Sequence, residues 1–177
     1  MRIRLLSRVL GLCITAWLPM KAQLAGTYRL AICATQCSPS DSGIVRGSLV
    51  LLRDSIRRDT LAATFRTALA NDHWLVRPAV SVNACFAIRR EQSSINGREL
   101  YAGIVKQSLT NWLALGRSVQ IRLYLSPDAS YDVVGTLDHD TLSGTGHQSN
   151  CCGGTSPSTY FRAIRVGDPD LRACLSP

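Results

Sequence analysis

Ser118-Val119-Gln120-Ile121-Arg122-Leu123-Tyr124-Leu125 alternates apolar and polar residues without a break. Along an extended chain, successive side chains point to opposite faces of a sheet. Val119, Ile121, Leu123 and Leu125 therefore share one dry face, and Gln120, Arg122 and Tyr124 share a wet one. A helix would scatter the same residues around its circumference. The stretch reads as a strand packed on one side, as in antiparallel sheets.

The same alternation recurs on both sides of it. Val80, Val82, Ala84, Phe86 and Ile88 alternate with Ser81, Asn83, Cys85, Ala87 and Arg89. Val45, Gly47, Leu49 and Leu51 form another apolar face, as do Tyr28, Leu30 and Ile32, and Leu142, Gly144 and Gly146. Turn-forming clusters separate the runs: Pro39 to Gly43, Leu115 to Ser118, Ser126-Pro127-Asp128 and Asp138-His139-Asp140. Eight strands are expected, near residues 27–34, 44–53, 80–89, 101–114, 118–125, 131–137, 141–147 and 159–166. One segment is open: Asp59-Thr60 either caps a short helix with a Leu61, Phe65, Leu69 face or begins a ninth strand over residues 60–67.

Short strands joined by tight hairpins favour an all-β, antiparallel up-and-down barrel of about eight strands, since a sandwich needs longer crossing connections. A barrel of that size encloses side chains or one small ligand. The expected lining is Tyr28, Leu30, Leu49, Leu51, Phe86, Ile121, Leu123, Val133 and Leu142. Gly47, Gly135, Gly144 and Gly146 also fall on inward positions. They either leave a cavity or let strands coil closely together.

The chain has 177 residues, 46% of them hydrophobic and 18% charged, which suits one domain with a core and excludes a disordered chain. No apolar run is long enough to span a bilayer as a helix. Arg2, Arg4 and Arg8, an apolar run over residues 9–18 containing Cys13, then Pro19, Ala22 and Ala25, read as a secretory leader over residues 1–22, with the cut possible as late as residue 25. That divides the chain into a leader, a barrel domain over residues 23–166 and a tail over residues 167–177. Removing Arg2, Arg4, Arg8 and Lys21 lowers the formal charge from +8 to +4. The remaining basic residues are spread out, with no run longer than a pair, so nucleic acid is not an expected partner. A secreted or periplasmic location is expected.

Six cysteines remain after the leader: Cys33, Cys37, Cys85, Cys151, Cys152 and Cys174. An even set in an exported chain reads as disulfides, and spacing alone leaves fifteen pairings open. A metal site using Cys33, Cys37, Cys151, Cys152 and His147 is the rival, but a vicinal pair chelates poorly and zinc knuckles space their cysteines differently. No metal or cofactor is expected.

Gly26-Thr27-Tyr28 at the first strand resembles the Gly-x-Trp opening of lipocalins and avidin-like proteins, with Tyr replacing Trp. The second lipocalin motif, Thr-Asp-Tyr, is absent. The resemblance implies a secreted ligand-binding barrel whose floor is plugged by the aromatic ring, with an arginine of the last strand, Arg162 or Arg165, packed on it. It also fits a Cys85–Cys174 bond strapping the tail to the outer wall. Cys85 lies on the polar face of its strand, and Cys174 is the tail's only cysteine. Cys33 and Cys37 are then expected to cross-link to Cys151 and Cys152, stitching one rim.

No catalytic residue is assigned. His139 sits between two aspartates at a hairpin tip, where turn chemistry explains it. His147 and His73 stand alone, and no nucleophile elbow, metalloprotease helix or phosphate loop occurs. Two functions remain. One is a carrier of a small apolar or amphipathic ligand inside the barrel. The other is an interaction or inhibitor module acting on an envelope or extracellular protein through rim loops such as residues 148–158. A membrane-spanning barrel is disfavoured, because Arg29, Arg89, Arg122 and Asp132 fall on outward faces.

Overall fold

The computed structural model describes residues 24–33, 36–37, 45–64, 81–90, 93–95, 98–100, 105–126, 129–150, 152–154 and 157–175. The expected leader, Cys13, His73, Cys151, and Phe65 and Leu69 of the undecided segment lie outside them. The strands are β1 (Gly26–Cys33), β2 (Val45–Arg57), β3 (Ser81–Arg90), β4 (Ser93–Ile95), β5 (Arg98–Leu100), β6 (Val105–Leu115), β7 (Ser118–Ser126), β8 (Ala129–Asp138), β9 (Thr141–Asn150) and β10 (Thr159–Gly167). A short helix, α1 (Arg58–Thr64), follows β2, and a 3-10 turn (Leu171–Cys174) ends the tail.

Eight strands close an antiparallel barrel in the order β1-β10-β9-β8-β7-β6-β3-β2, with β2 returning to β1. Apart from the β4–β5 hairpin set between β3 and β6, neighbours in sequence are neighbours in space, as the short turns require. Two of those turns need left-handed backbone: Gly116 has φ 61° and His139 φ 53°. The β4–β5 hairpin was not expected, and the strand expected to begin at residue 101 begins at Val105.

The described part of the undecided segment, up to Thr64, is helical. Leu61 of α1 packs with Val50, Val82, Cys85 and Cys174 in a small apolar cluster distinct from the main core. Val82, expected with the inward residues, packs instead in this second cluster. A register shift in β2 between Leu51 and Ile56 places Ile56 opposite it, and Ile56 packs against the same cluster.

Cys85 and Cys174 are disulfide-bonded, with Cα atoms 6.1 Å apart. This bond seats the tail on the outer wall. Thr27 completes the anchor: its hydroxyl donates to the Asp168 carbonyl and accepts from the Asp170 N–H, both at 2.7 Å. The expected cross-links from Cys33 and Cys37 to Cys151 and Cys152 are corrected. Cys33 bonds Cys37, only four residues on, with Cα atoms 5.3 Å apart. Cys37 takes a left-handed backbone, φ 52°, which turns the chain back onto the end of β1.

Candidate functional site

Alternation sends one side chain in two into the barrel, and there they meet as one cluster. All nine expected lining residues belong to it. Tyr28, Leu30, Leu49, Leu51, Phe86, Ile121, Leu123, Val133 and Leu142 are each 0–2% exposed. Trp112, Tyr131 and Phe161 also belong to the cluster and were not singled out from the sequence. Phe161 and Ala163 do alternate in β10, so its signal was present. The Trp112 indole N–H is shared between the carbonyls of Leu52 and Asn83, at 3.0 and 3.1 Å. The Asn83 side chain bonds the Trp112 backbone on both its N–H and its carbonyl.

The inward glycines mark close approach. A Cβ on Gly47 would stand 2.0 Å from the Ala87 carbonyl oxygen. One on Gly144 would stand 2.1 Å from that of Val134. Gly146 faces the Tyr131 ring, whose atoms would lie 2.6–2.7 Å from its Cβ. Coiled strands and a neighbouring ring fill the room that these residues leave.

One end of the barrel is closed by a floor built on Gly26-Thr27-Tyr28. The Tyr28 hydroxyl donates to the Leu24 carbonyl at 2.7 Å, and Leu24 is itself buried. Tyr28 is paired across the β1–β10 seam with Arg165, so Arg165, not Arg162, is the arginine at the floor. A Cβ at position 26 would stand 2.6 Å from the Arg165 Nε, which is why glycine precedes the pair. Arg165 also bonds Asp168 at 3.3 Å, while its backbone N–H reaches the Asp140 carbonyl at 2.7 Å.

Burial pushes the Tyr28 phenol up to about 12, against the lowering pull of the Arg165 charge. A phenol raised in the folded state favours folding fully below its unfolded pKa near 10. That contribution is lost as pH rises through about 12. The protein is therefore expected to lose stability to alkali between those limits. Phenolate absorbance measured alongside unfolding should show Tyr28 ionising with the unfolding transition, and a Tyr28→Phe variant should lose that part of the pH dependence. Ionisation of Tyr28 in the intact fold near pH 10 would contradict the buried floor.

The opposite rim carries the Cys33–Cys37 bond. Arg162 points outward there and donates to the Cys37 carbonyl at 3.1 Å. At the end of β9, which runs three residues into the expected rim loop, Asn150 organises a turn. Its side chain accepts from the Gly154 N–H at 2.7 Å, and its backbone bonds both Gly153 and Gly154. Cys152, Gly153 and Gly154 stand exposed at this turn.

The outer wall of β6–β9 holds a shallow depression of about 520 Å³ lined by residues including Leu113, Arg122, Asp132, Val134 and His147. Arg122 Nε donates to Asp132 at 2.5 Å, and the Ser130 and Ser149 hydroxyls bond the other carboxylate oxygen. That ion pair is open to water and contributes at most about 1 kcal/mol.

The fold and its packing thus define a closed eight-stranded antiparallel barrel with a filled, plugged interior and a disulfide-strapped tail. No protein-family model matches the chain, and no curated protein matches it.

Proposed function

We propose that this protein is an exported, disulfide-stabilised interaction module whose barrel core is structural and whose rim loop engages a protein partner. The packing of the nine lining residues carries this reading. A void wide enough for a water molecule would leave the side chains around it measurably accessible, and these are not. A lipophile at these positions would have to displace ring and branched side chains from a close-packed core. The small, apolar-ligand carrier suggested by the lipocalin-like opening therefore has less support than the surface module.

Two disulfides support an extracytoplasmic location. The floor bears on where a leader would be cut. A cut after Ala22 keeps Leu24 and the carbonyl that Tyr28 binds, whereas a cut after Ala25 discards both.

Two measurements separate the readings. A panel of fatty acids, retinoids and other lipophiles is expected to leave Tm unchanged. A ligand at a hundredfold excess over its Kd would add about 2.7 kcal/mol and a shift of several degrees. Replacing residues 153–156 with a Gly-Ser segment should leave Tm unaltered and abolish capture of a protein that the native form retains from envelope extract. A lipophile-induced shift, or equal capture by the loop variant, would overturn the proposal.

A further inference from the structure

The outer wall of β10–β1–β2–β3 carries a basic surface. The register places Arg162 opposite Ala31, Ala31 opposite Arg46, and Arg46 opposite Arg89. Three arginines thus stand in one line across four strands, a span of about 14 Å at the usual strand spacing. Arg29 adds a fourth, two residues along β1 from Ala31. Arg29, Arg46 and Arg89 are exposed; Arg162 is half-buried and held at the rim by its bond to the Cys37 carbonyl. β1, β3 and β10 contain no Asp or Glu, and β2 contains only Asp54, beyond its stretch paired with β1. Lower on the same wall, Val50 and Cys85 are covered by the tail and α1, so the arginines occupy the part left open.

The same outward face of β10 bears Tyr160 and Ile164, each 40% exposed, and Val166. Arginines flanked by an exposed aromatic ring and aliphatic side chains suit a boundary where charge meets hydrocarbon. The wall is convex. A fluid plane of anions can adapt to it, whereas a folded acidic protein would need a matching hollow.

We infer that this arginine wall docks the barrel on a membrane surface rich in anionic lipid headgroups, independently of what the rim loop binds. The guanidinium groups meet phosphates, and Tyr160 and Ile164 settle at the headgroup boundary. The test is co-sedimentation of the full chain with phosphatidylcholine vesicles, with and without phosphatidylglycerol. Binding is expected only to the anionic vesicles and should vanish in about 1 M salt, where the Debye length is about 3 Å. Each arginine should contribute about fivefold, so Arg29→Ser with Arg89→Ser should weaken binding by more than about tenfold at unchanged Tm. Arg122→Ser, on the far wall, should not. Equal binding to neutral vesicles, equal binding by the double variant, or binding to heparin or an acidic protein without binding to anionic vesicles would each overturn the inference. The loop replacement leaves this wall intact, so failure of the partner reading is read separately.

Discussion

A Cys85→Ser variant is expected to lose about 4 kcal/mol of unfolding free energy, a large part of the whole for a domain of this size. The bond spans 89 residues of sequence, so breaking it returns a long loop's freedom to the unfolded chain. The substitution also leaves a hydroxyl in an apolar cluster with Val50, Leu61 and Val82. Cys174→Ser should cost a similar amount, and the two together little more than either alone. The Cys33–Cys37 bond spans four residues, and on loop closure alone should contribute about 2.5 kcal/mol less than the longer one. Guanidinium unfolding of the variants, read as a shift in midpoint at constant m, checks the ranking. An unchanged midpoint for Cys85→Ser would mean that the tail adds nothing to the barrel.

Gly144→Ala should cost at least about 3 kcal/mol, at the severe end of overpacking. The new methyl would meet the Val134 carbonyl oxygen at 2.1 Å and the Gly135 Cα at 2.4 Å. Both are backbone atoms, so no side chain can rotate out of the way. Gly116→Ala is the control. Its φ of 61° is strained for alanine, but nothing lies within 4 Å of the added atom, so the cost should be about 1 kcal/mol. Thermal or denaturant unfolding of both variants decides the matter. Had Gly144 bordered a cavity, the methyl would fill space and stabilise the protein. The two readings therefore differ in sign.

That pair of outcomes shows what can be read from a sequence and what cannot. Burial on one face imprints a period of two, so the β7 alternation located the barrel wall and the parity of Cys85 placed its sulfur outside. The glycines were ambiguous because a missing side chain reads the same whether a neighbour's backbone or empty space lies beyond it. The Cys33–Cys37 pairing depends on the left-handed backbone of Cys37, a conformation that spacing does not reveal. Val82 packs in the second cluster because the register shift in β2 brings Ile56 opposite it, a pairing that alternation within β3 does not reveal. At the floor, the Gly26-Thr27-Tyr28 triplet was legible as a plug, but the choice between Arg162 and Arg165 needed the seam register. The arginine wall was the least legible feature. Its four members come from four separate strands, and only barrel closure brings them together.

That closure joins the beginning of the chain to its end. β1 pairs with β2 on one side and with β10 on the other, so Thr27 finds its partner Gly167 only after the intervening chain has been threaded out. During folding, β1 and β9 therefore present bare hydrogen-bonding edges until the final strand arrives, a state prone to pairing with other chains. The nine residues of β10 act as a zip, and a nascent chain halted just short of them would be a hazard to its neighbours.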